Sequence, residues 1–346
     1  MVTERASIVI TLSDQQMHMN TVTFFSRRTW IRTTGLISAV QLLGLKPSYA
    51  ATFIAKTPAA LTSEEIAAIE AAMGKKGNYN EAQAVHTTPL PRNDLKVTLK
   101  GEPVPIPFGF GGWASIKKTV DRKSAVLMSD TVLLEEEVNP LISAAQANGL
   151  EIGAIHNHFF YEQPRIFYMH LHVMGTPEDL AKKFAATIKD AKISPKNQPA
   201  PSAPPTVTGK DLFDLPGLDA VIKYTGVVNG PTYKYTVGRE DITVMAMGAE
   251  MTAAIGLNSW ASFAGNKDSA HIAGDIAMLE DEVNAVIKVL RANNLEVVAL
   301  HNHVFGENPR MIFLHYYGRG PAAKLATGFR AALDVLAQIK VIPSDH

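Results

Sequence analysis

One long stretch of this chain is written twice at an offset of 145 residues, and that repetition constrains the fold more than any other feature. Leu134-Glu135-Glu136-Glu137-Val138-Asn139 returns as Leu279-Glu280-Asp281-Glu282-Val283-Asn284, and His156-Asn157-His158 returns as His301-Asn302-His303. Glu162, Pro164, Arg165 and His170 fall in the same register on Glu307, Pro309, Arg310 and His315. Upstream, after a two-residue shift, Arg92, Asp94 and Trp113-Ala114-Ser115 meet Arg239, Asp241 and Trp260-Ala261-Ser262. A repeat this long is a duplicated domain, not a solenoid, and two such units are expected to pack as a pseudo-twofold pair, as homodimers do. Residues 51–193 form the first unit and residues 210–346 the second. Between them, residues 194–209 hold Pro195, Pro199, Pro201, Pro204 and Pro205 among Ser, Asn and Thr, a composition that favours the extended backbone of a linker.

Each copy reads as an α+β unit. Thr62 with Glu65 has the form of a capping box, and Ile66, Ile69 and Met73 share one helical face before Gly74. Strand-like stretches follow near Leu95–Leu99, Trp113–Lys117 and Ala125–Leu133, then a helix from Leu134 to Asn148 that stops at Gly149, with Asn294 in the second copy. Two strands, Ile152–Phe159 and Arg165–Met174, precede a helix opened by Thr176-Pro177. This order predicts a largely antiparallel sheet with helices on one face.

Residues 1–50 read as an export address. Ser26-Arg27-Arg28-Thr29-Trp30-Ile31 followed by the apolar run Gly35–Leu45 and Ser48-Tyr49-Ala50 has the pattern of a twin-arginine signal cleaved after Ala50. The polar stretch ahead of it is long for such a signal, so Met19 is an alternative start to Met1. Cleavage would remove five basic and two acidic residues and leave a formal charge of −3. The expected product is periplasmic or secreted, without a membrane anchor. The whole chain balances 33 Lys plus Arg against 33 Asp plus Glu, which argues against nucleic acid as a partner, and it contains no cysteine. Disulfides, thiol nucleophiles and Cys-based metal sites are thereby excluded, so any metal must bind through His, Asp or Glu.

His156, His158, Glu162 and His170 are the densest set of such residues, and His301, His303, Glu307 and His315 repeat it. In a strand, residues i and i+2 point to one side, so His156 and His158 can aim at one point. If Glu162-Gln163-Pro164 is a three-residue hairpin connection, His156 falls opposite His170 with Glu162 at the rim; a slip of one residue would send His170 to the other face. Three imidazoles and a carboxylate in each repeat suit a divalent transition metal, with Mn or Fe favoured and Zn or Cu compatible. The HxH-x3-E string also resembles half of the cupin ligand motif, but the flanking glycines are missing and helices interrupt the strand order. Arg165 and Arg310 are candidate holders of a carboxylate or phosphate on a small-molecule ligand, or else clamps on the turn through Glu162. The repeated Asp130 and Asp275 suit partners behind a ligand histidine, and Trp113 and Trp260 suit core or interface anchors.

The copies differ where His172 becomes Tyr317, Val126 becomes His271 and Val173-Met174-Gly175 becomes Gly318-Arg319-Gly320. The repeated His-Asn-His-x-Phe-x-Glu-x-Pro-Arg stretch, complete in His301–Arg310 and nearly so in His156–Arg165, resembles the LppY/LpqO family of exported or lipid-anchored bacterial domains of unknown function. That resemblance implies no activity, and the missing cysteine removes the lipid anchor. The expected function is an exported metal-binding protein, with a metal-dependent hydrolase or an oxygen-dependent enzyme as the catalytic forms it could take. The rivals are a non-catalytic module that binds or sequesters a metal or an anionic ligand, and a scaffold in which the His clusters are structural.

Overall fold

The computed structural model describes residues 58–200 and 205–338; the proposed signal and its alternative starts, residues 201–204 of the linker and residues 339–346 lie outside the described residues. Helix α1 (Ser63–Met73) opens on Thr62, whose hydroxyl accepts the Glu65 N–H while the Glu65 carboxylate accepts the Thr62 N–H at 2.7 Å. It ends at Gly74 in the left-handed conformation that glycine adopts without penalty. Strands β1 (Asn78–Asn80), β2 (Val85–Pro91), β3 (Val97–Leu99), β4 (Glu102–Val104), β5 (Gly111–Lys118) and β6 (Ala125–Leu134) follow. Then come α2 (Glu135–Ala147), β7 (Glu151–His156), β8 (Glu162–Gln163), β9 (Ile166–Gly175) and α3 (Pro177–Ile188).

The second repeat begins with α4 (Gly209–Leu212) and α5 (Leu215–Ile222), then β10 (Val227–Asn229), β11 (Thr232–Gly238), β12 (Val244–Ala246), β13 (Ala249–Met251), β14 (Asn258–Gly265) and β15 (Ala270–Leu279). It closes with α6 (Val283–Ala292), β16 (Glu296–His301), β17 (Met311–Gly320) and α7 (Ala322–Gln338). Both repeats build the same antiparallel sheet, ordered β1-β2-β5-β6-β9-β7 and β10-β11-β14-β15-β17-β16. The α+β class, the antiparallel sheets and the duplication are as the repeat predicts. No described helix is long and apolar enough to cross a membrane.

Strand alternation explains how the sheets stack. In β6, Ala125, Leu127 and Leu133 join Leu180, Ala181 and Phe184 of α3 in one core, while Val126, Met128 and Val132 on the other face meet residues of the second repeat. That is why β6 is buried along almost its whole length instead of alternating. In the second repeat Ile272, Ile276 and Met278 of β15 pack under α6 and α7, and Ala273 and Ala277 face the first repeat. The result is helix, sheet, sheet, helix, with the two helix-free faces buried against each other.

Each strand-rich arm crosses to seal that inner layer. Val97, Leu99, Phe108 and Phe110 reach Ala264, Ala273 and Tyr317 at one end. Their counterparts Val244, Ala246, Ile255 and Leu257 reach Val126 and Met128 at the other. The beginning of the linker is held as well: Pro195–Asn197 form a 3-10 turn, and the Gln198 carboxamide accepts the Asn93 N–H at 2.8 Å.

A buried arginine anchors each arm. Arg92 donates to Asp94, to the Val132 carbonyl and to Glu137, and Arg239 repeats the set with Asp241, the Ala277 carbonyl and Glu282. Glu137 and Glu282 also accept the N–H of Leu134 and Leu279 at 2.7 Å, so one carboxylate ties strand end, helix start and arm together. The Arg239–Glu282 pair is dry, at 4% and 1% exposure. Arg239→Met should therefore lower unfolding free energy by roughly 3–5 kcal/mol by stranding a buried carboxylate. Arg310→Met, at a pair two-thirds exposed, should change it little; urea denaturation of the two variants checks both.

Candidate metal centre

The hairpin that carries the histidines differs from the expected three-residue connection. β7 stops at His156 because the chain leaves the sheet into loop 157–165, where Glu162 and Gln163 pair with β3 instead. His156 lies opposite Tyr168, and Ala154 opposite His170. The displacement is two residues, an even number, so His170 keeps the face it needs. The second repeat does the same, with His301 opposite Phe313 and Ala299 opposite His315.

Where the sequence suggests two separate sites, the pseudo-twofold packing brings all six histidines into one nest. His156 stacks on His301 with ring centroids 3.7 Å apart; His158 lies 3.7 Å from His315 and His170 4.1 Å from His303, the two halves of a symmetric exchange. His156 Nε2 and His158 Nε2 approach to 3.2 Å. Three groups have ligand atoms close enough together to share an ion: His156, His158 and His315; His156, His170 and His301; and Asp275, His301 and His315. Two of the three groups draw on both repeats, and the third, Asp275 with His301 and His315, lies within the second. Close approach is built into the backbone: a Cβ on Gly153 would stand 2.3 Å from the His303 carbonyl oxygen, and the Asn302 side chain donates to the Gly153 carbonyl at 3.1 Å.

The carboxylates of the nest are not those first expected. Glu162 is fully buried, but it turns to the Ile166 N–H at 3.3 Å and to Arg165 at 3.6 Å, and Glu307 accepts the Met311 N–H at 3.4 Å. Neither belongs to a ligand group; both brace their loops. Asp130 and Asp275 take the inner positions instead, 3.8 Å from His158 and 3.6 Å from His303, and of the two Asp275 belongs to a ligand group. They sit on the central strands β6 and β15, opposite Trp113 and Trp260, and are directed inward by strand alternation. Their repetition was the only signal in the sequence. Arg165 donates to the Phe160 carbonyl and Arg310 lies by Glu280 at the surface, so neither faces the nest.

Protonation follows from the contacts. His170 Nδ1 and His315 Nδ1 each lie 3.1 Å from a carbonyl oxygen, of Ser129 and Gly274, which can only accept. Both rings therefore carry the proton on Nδ1 and turn an Nε2 lone pair inward, the arrangement usual behind a metal-ligating histidine. Burial, reinforced by the neighbouring imidazoles, holds His156, His158, His170 and His301 well below the ordinary range; burial lowers His303 to about 3 and His315 to about 4. Burial raises Asp275, and burial with the Asp275 charge raises Asp130 well above its usual value. Among the described residues, most buried side-chain N and O atoms without a hydrogen-bond partner are concentrated here: ring nitrogens of all six histidines and one oxygen each of Asp130 and Asp275. A set of neutral imidazoles with inward lone pairs beside two carboxylates fits a transition-metal ion better than a hydrogen-bonded core, which would have paired them.

A cavity of about 600 Å³ reaches this centre. Asp130, Asp275, His170 and His315 contribute to its lining, together with Trp113 and Trp260. Each tryptophan also extends toward the other repeat, Trp113 against Gly256 and Trp260 toward Gly109. Gly256 is left-handed at φ 104°, and a Cβ there would meet Trp113 at 3.1 Å, so both backbone and space require glycine.

The differences between the copies gather on one flank. His271 bridges the Tyr317 hydroxyl at 2.8 Å and Glu102 at 3.1 Å, and Arg319 pairs with Glu102. This chain joins β4 of one repeat to β15 and β17 of the other, outside the histidine nest.

The chain belongs to the family described as Domain of Unknown Function (DUF1259), whose profile matches it twice, over residues 67–190 and 217–335. No curated protein matches it. Solved structures of microcompartment shell proteins show weak similarity. The double-ringed trimeric shell protein MSM0271 from the RMM microcompartment is 10% identical, over 63% of this chain and 85% of that one, at a TM-score of 0.17. EtuB from Clostridium kluyveri is 9% identical over 66% and 90% (TM-score 0.17), and the trimeric shell protein PduB 13% over 76% and 93% (TM-score 0.20). Overlaps this poor carry no argument about fold or function.

The buried neutral histidines set a pH dependence. The unfolded chain takes up protons on them near pH 6.5, whereas folded His315 and His303 resist until about 4 and 3. The unfolded state thus binds more protons in that window, so stability falls as pH falls through it. The two aspartates oppose this, since their raised values let the folded state bind protons there, but six imidazoles outnumber two carboxylates. Chelator-treated protein should lose thermal stability between pH 7 and pH 5, and His315→Gln should flatten that slope in differential scanning calorimetry.

Proposed function

We propose that this is an exported metal-binding protein of the LppY/LpqO type whose repeats share one composite centre, built from His156, His158, His170, His301, His303, His315, Asp130 and Asp275. One observation carries the reading: unpartnered buried ligand atoms of all eight residues occur together where the repeats meet. The eight donors are enough for two four-coordinate ions with three imidazoles and one carboxylate each. Mn or Fe is favoured, with Zn compatible, since folding and loading before twin-arginine export would spare the site from stronger competitors. Delivery to the periplasm or exterior follows from the Ser26–Ala50 signal pattern.

The cavity favours an enzyme over a store, because sequestration needs no room for an organic ligand beside the ion. Such an ion would supply Lewis acidity toward water or a substrate oxygen. Asp130 and Asp275, at the cavity wall, are placed to hold a proton or orient a reacting group. A non-catalytic binding or sequestration module remains the alternative, and turnover separates the two.

Elemental analysis of protein purified from its native export route should find one to two transition-metal ions per chain. His156→Ala with His301→Ala should lose them, while Glu162→Gln should keep them if that residue only braces its loop. Metal-free protein, stable and unchanged by the double substitution, would leave only a structural role for the histidines. Screening the loaded protein against phosphoesters, lactones and oxygen-dependent substrates then tests for turnover.

A further inference from the structure

The cavity repeats its tryptophans and carboxylates but differs at several equivalent wall positions, Pro89 against Thr236 and Gly111 against Asn258 among them, and one of these exchanges a neutral side chain for a cation. Lys234 on β11 lines it, and the pseudo-twofold equivalent on β2 is Thr87. Thr87 is satisfied by the Ser115 hydroxyl at 2.7 Å. Lys234 makes no ion pair or hydrogen bond through its ammonium with any described residue, although the Asp130 carboxylate is near enough to act on its charge; the ammonium lies 4.5 Å from the centre of the Trp260 ring. Ser262, opposite Lys234 in the β11–β14 ladder, is fully buried with an unpartnered hydroxyl, although its counterpart Ser115 is paired. The other cavity lysine, Lys75, is committed to the Pro89 carbonyl at 2.8 Å.

We infer that the cavity takes a small organic acid, its planar or ring portion lying between Trp113 and Trp260 and its single anionic group held by Lys234. The volume falls within the range of small-molecule sites, and the two indoles in the lining offer apolar surface to flat groups. A cation already resting on an indole face is oriented at no further cost when an anion arrives. The two floor carboxylates repel an anion unless a metal offsets them, so the anion is expected to sit toward the Lys234 wall. The inference rests on the metal reading for the floor of the cavity, but its own observation is the Lys234 ammonium, which unlike that of Lys75 has no hydrogen-bond partner among the described residues.

The test is a tryptophan-fluorescence titration of full mature protein, metal-loaded and chelator-treated, with benzoate and its neutral isostere benzamide. Loaded protein should bind benzoate at least about tenfold more tightly than benzamide, the size of one charge-assisted contact. Lys234→Gln should erase that preference and Lys234→Arg should retain it, both with unchanged metal content and melting temperature. Equal affinities, or a preference that survives Lys234→Gln, overturn the inference while metal content still upholds the centre. A preference that depends on Lys234 in protein that never holds metal upholds the anion site and sinks the metal reading alone.

Discussion

A sheet has two faces, and three or four helices can cover only one. Each repeat leaves β6 and β9, or β15 and β17, with a second face that must be buried against something. The other repeat supplies that cover. Apolar residues seal both ends of the shared layer, and between them polar side chains have been taken out of water at a cost that only partners can offset. The histidine nest, the inward aspartates and the cavity exist because two sheets of one design meet face to face.

That placement also explains the chemistry. Imidazoles stacked at 3.7 Å and buried together resist taking a second ring proton, so each keeps one nitrogen lone pair. The carbonyls of Ser129 and Gly274 set the tautomers of His170 and His315 from the neighbouring strands β6 and β15. Asp130, Asp275, His170 and His315 sit on inner strands, braced by the Arg92 and Arg239 networks at the strand ends, and are stiffer than the loop positions of His158 and His303.

Duplication gives such a protein a way to become directional. A symmetric pair presents the same wall twice, whereas Lys234 against Thr87, and the His271–Tyr317–Glu102 chain against its apolar counterpart Val126, make the two halves chemically different. A homodimer could not separate them, because every substitution would appear on both sides of the axis.

The repeat, the α+β class, the capping of α1 and the left-handed helix ends at Gly149 and Asn294 were all legible in the chain, because caps, periodicity and duplication are local or self-referring. The choice of histidines was legible for the same reason. The number of centres was not, since one nest or two depends on which faces two sheets present to each other. Nor was the exchange of Glu162 and Glu307 for Asp130 and Asp275, residues far apart in sequence from the histidines they approach. A loop of changed length can move a carboxylate out of reach without altering the spacing that suggested it, whereas inward positions on central strands are decided only when the sheets pack.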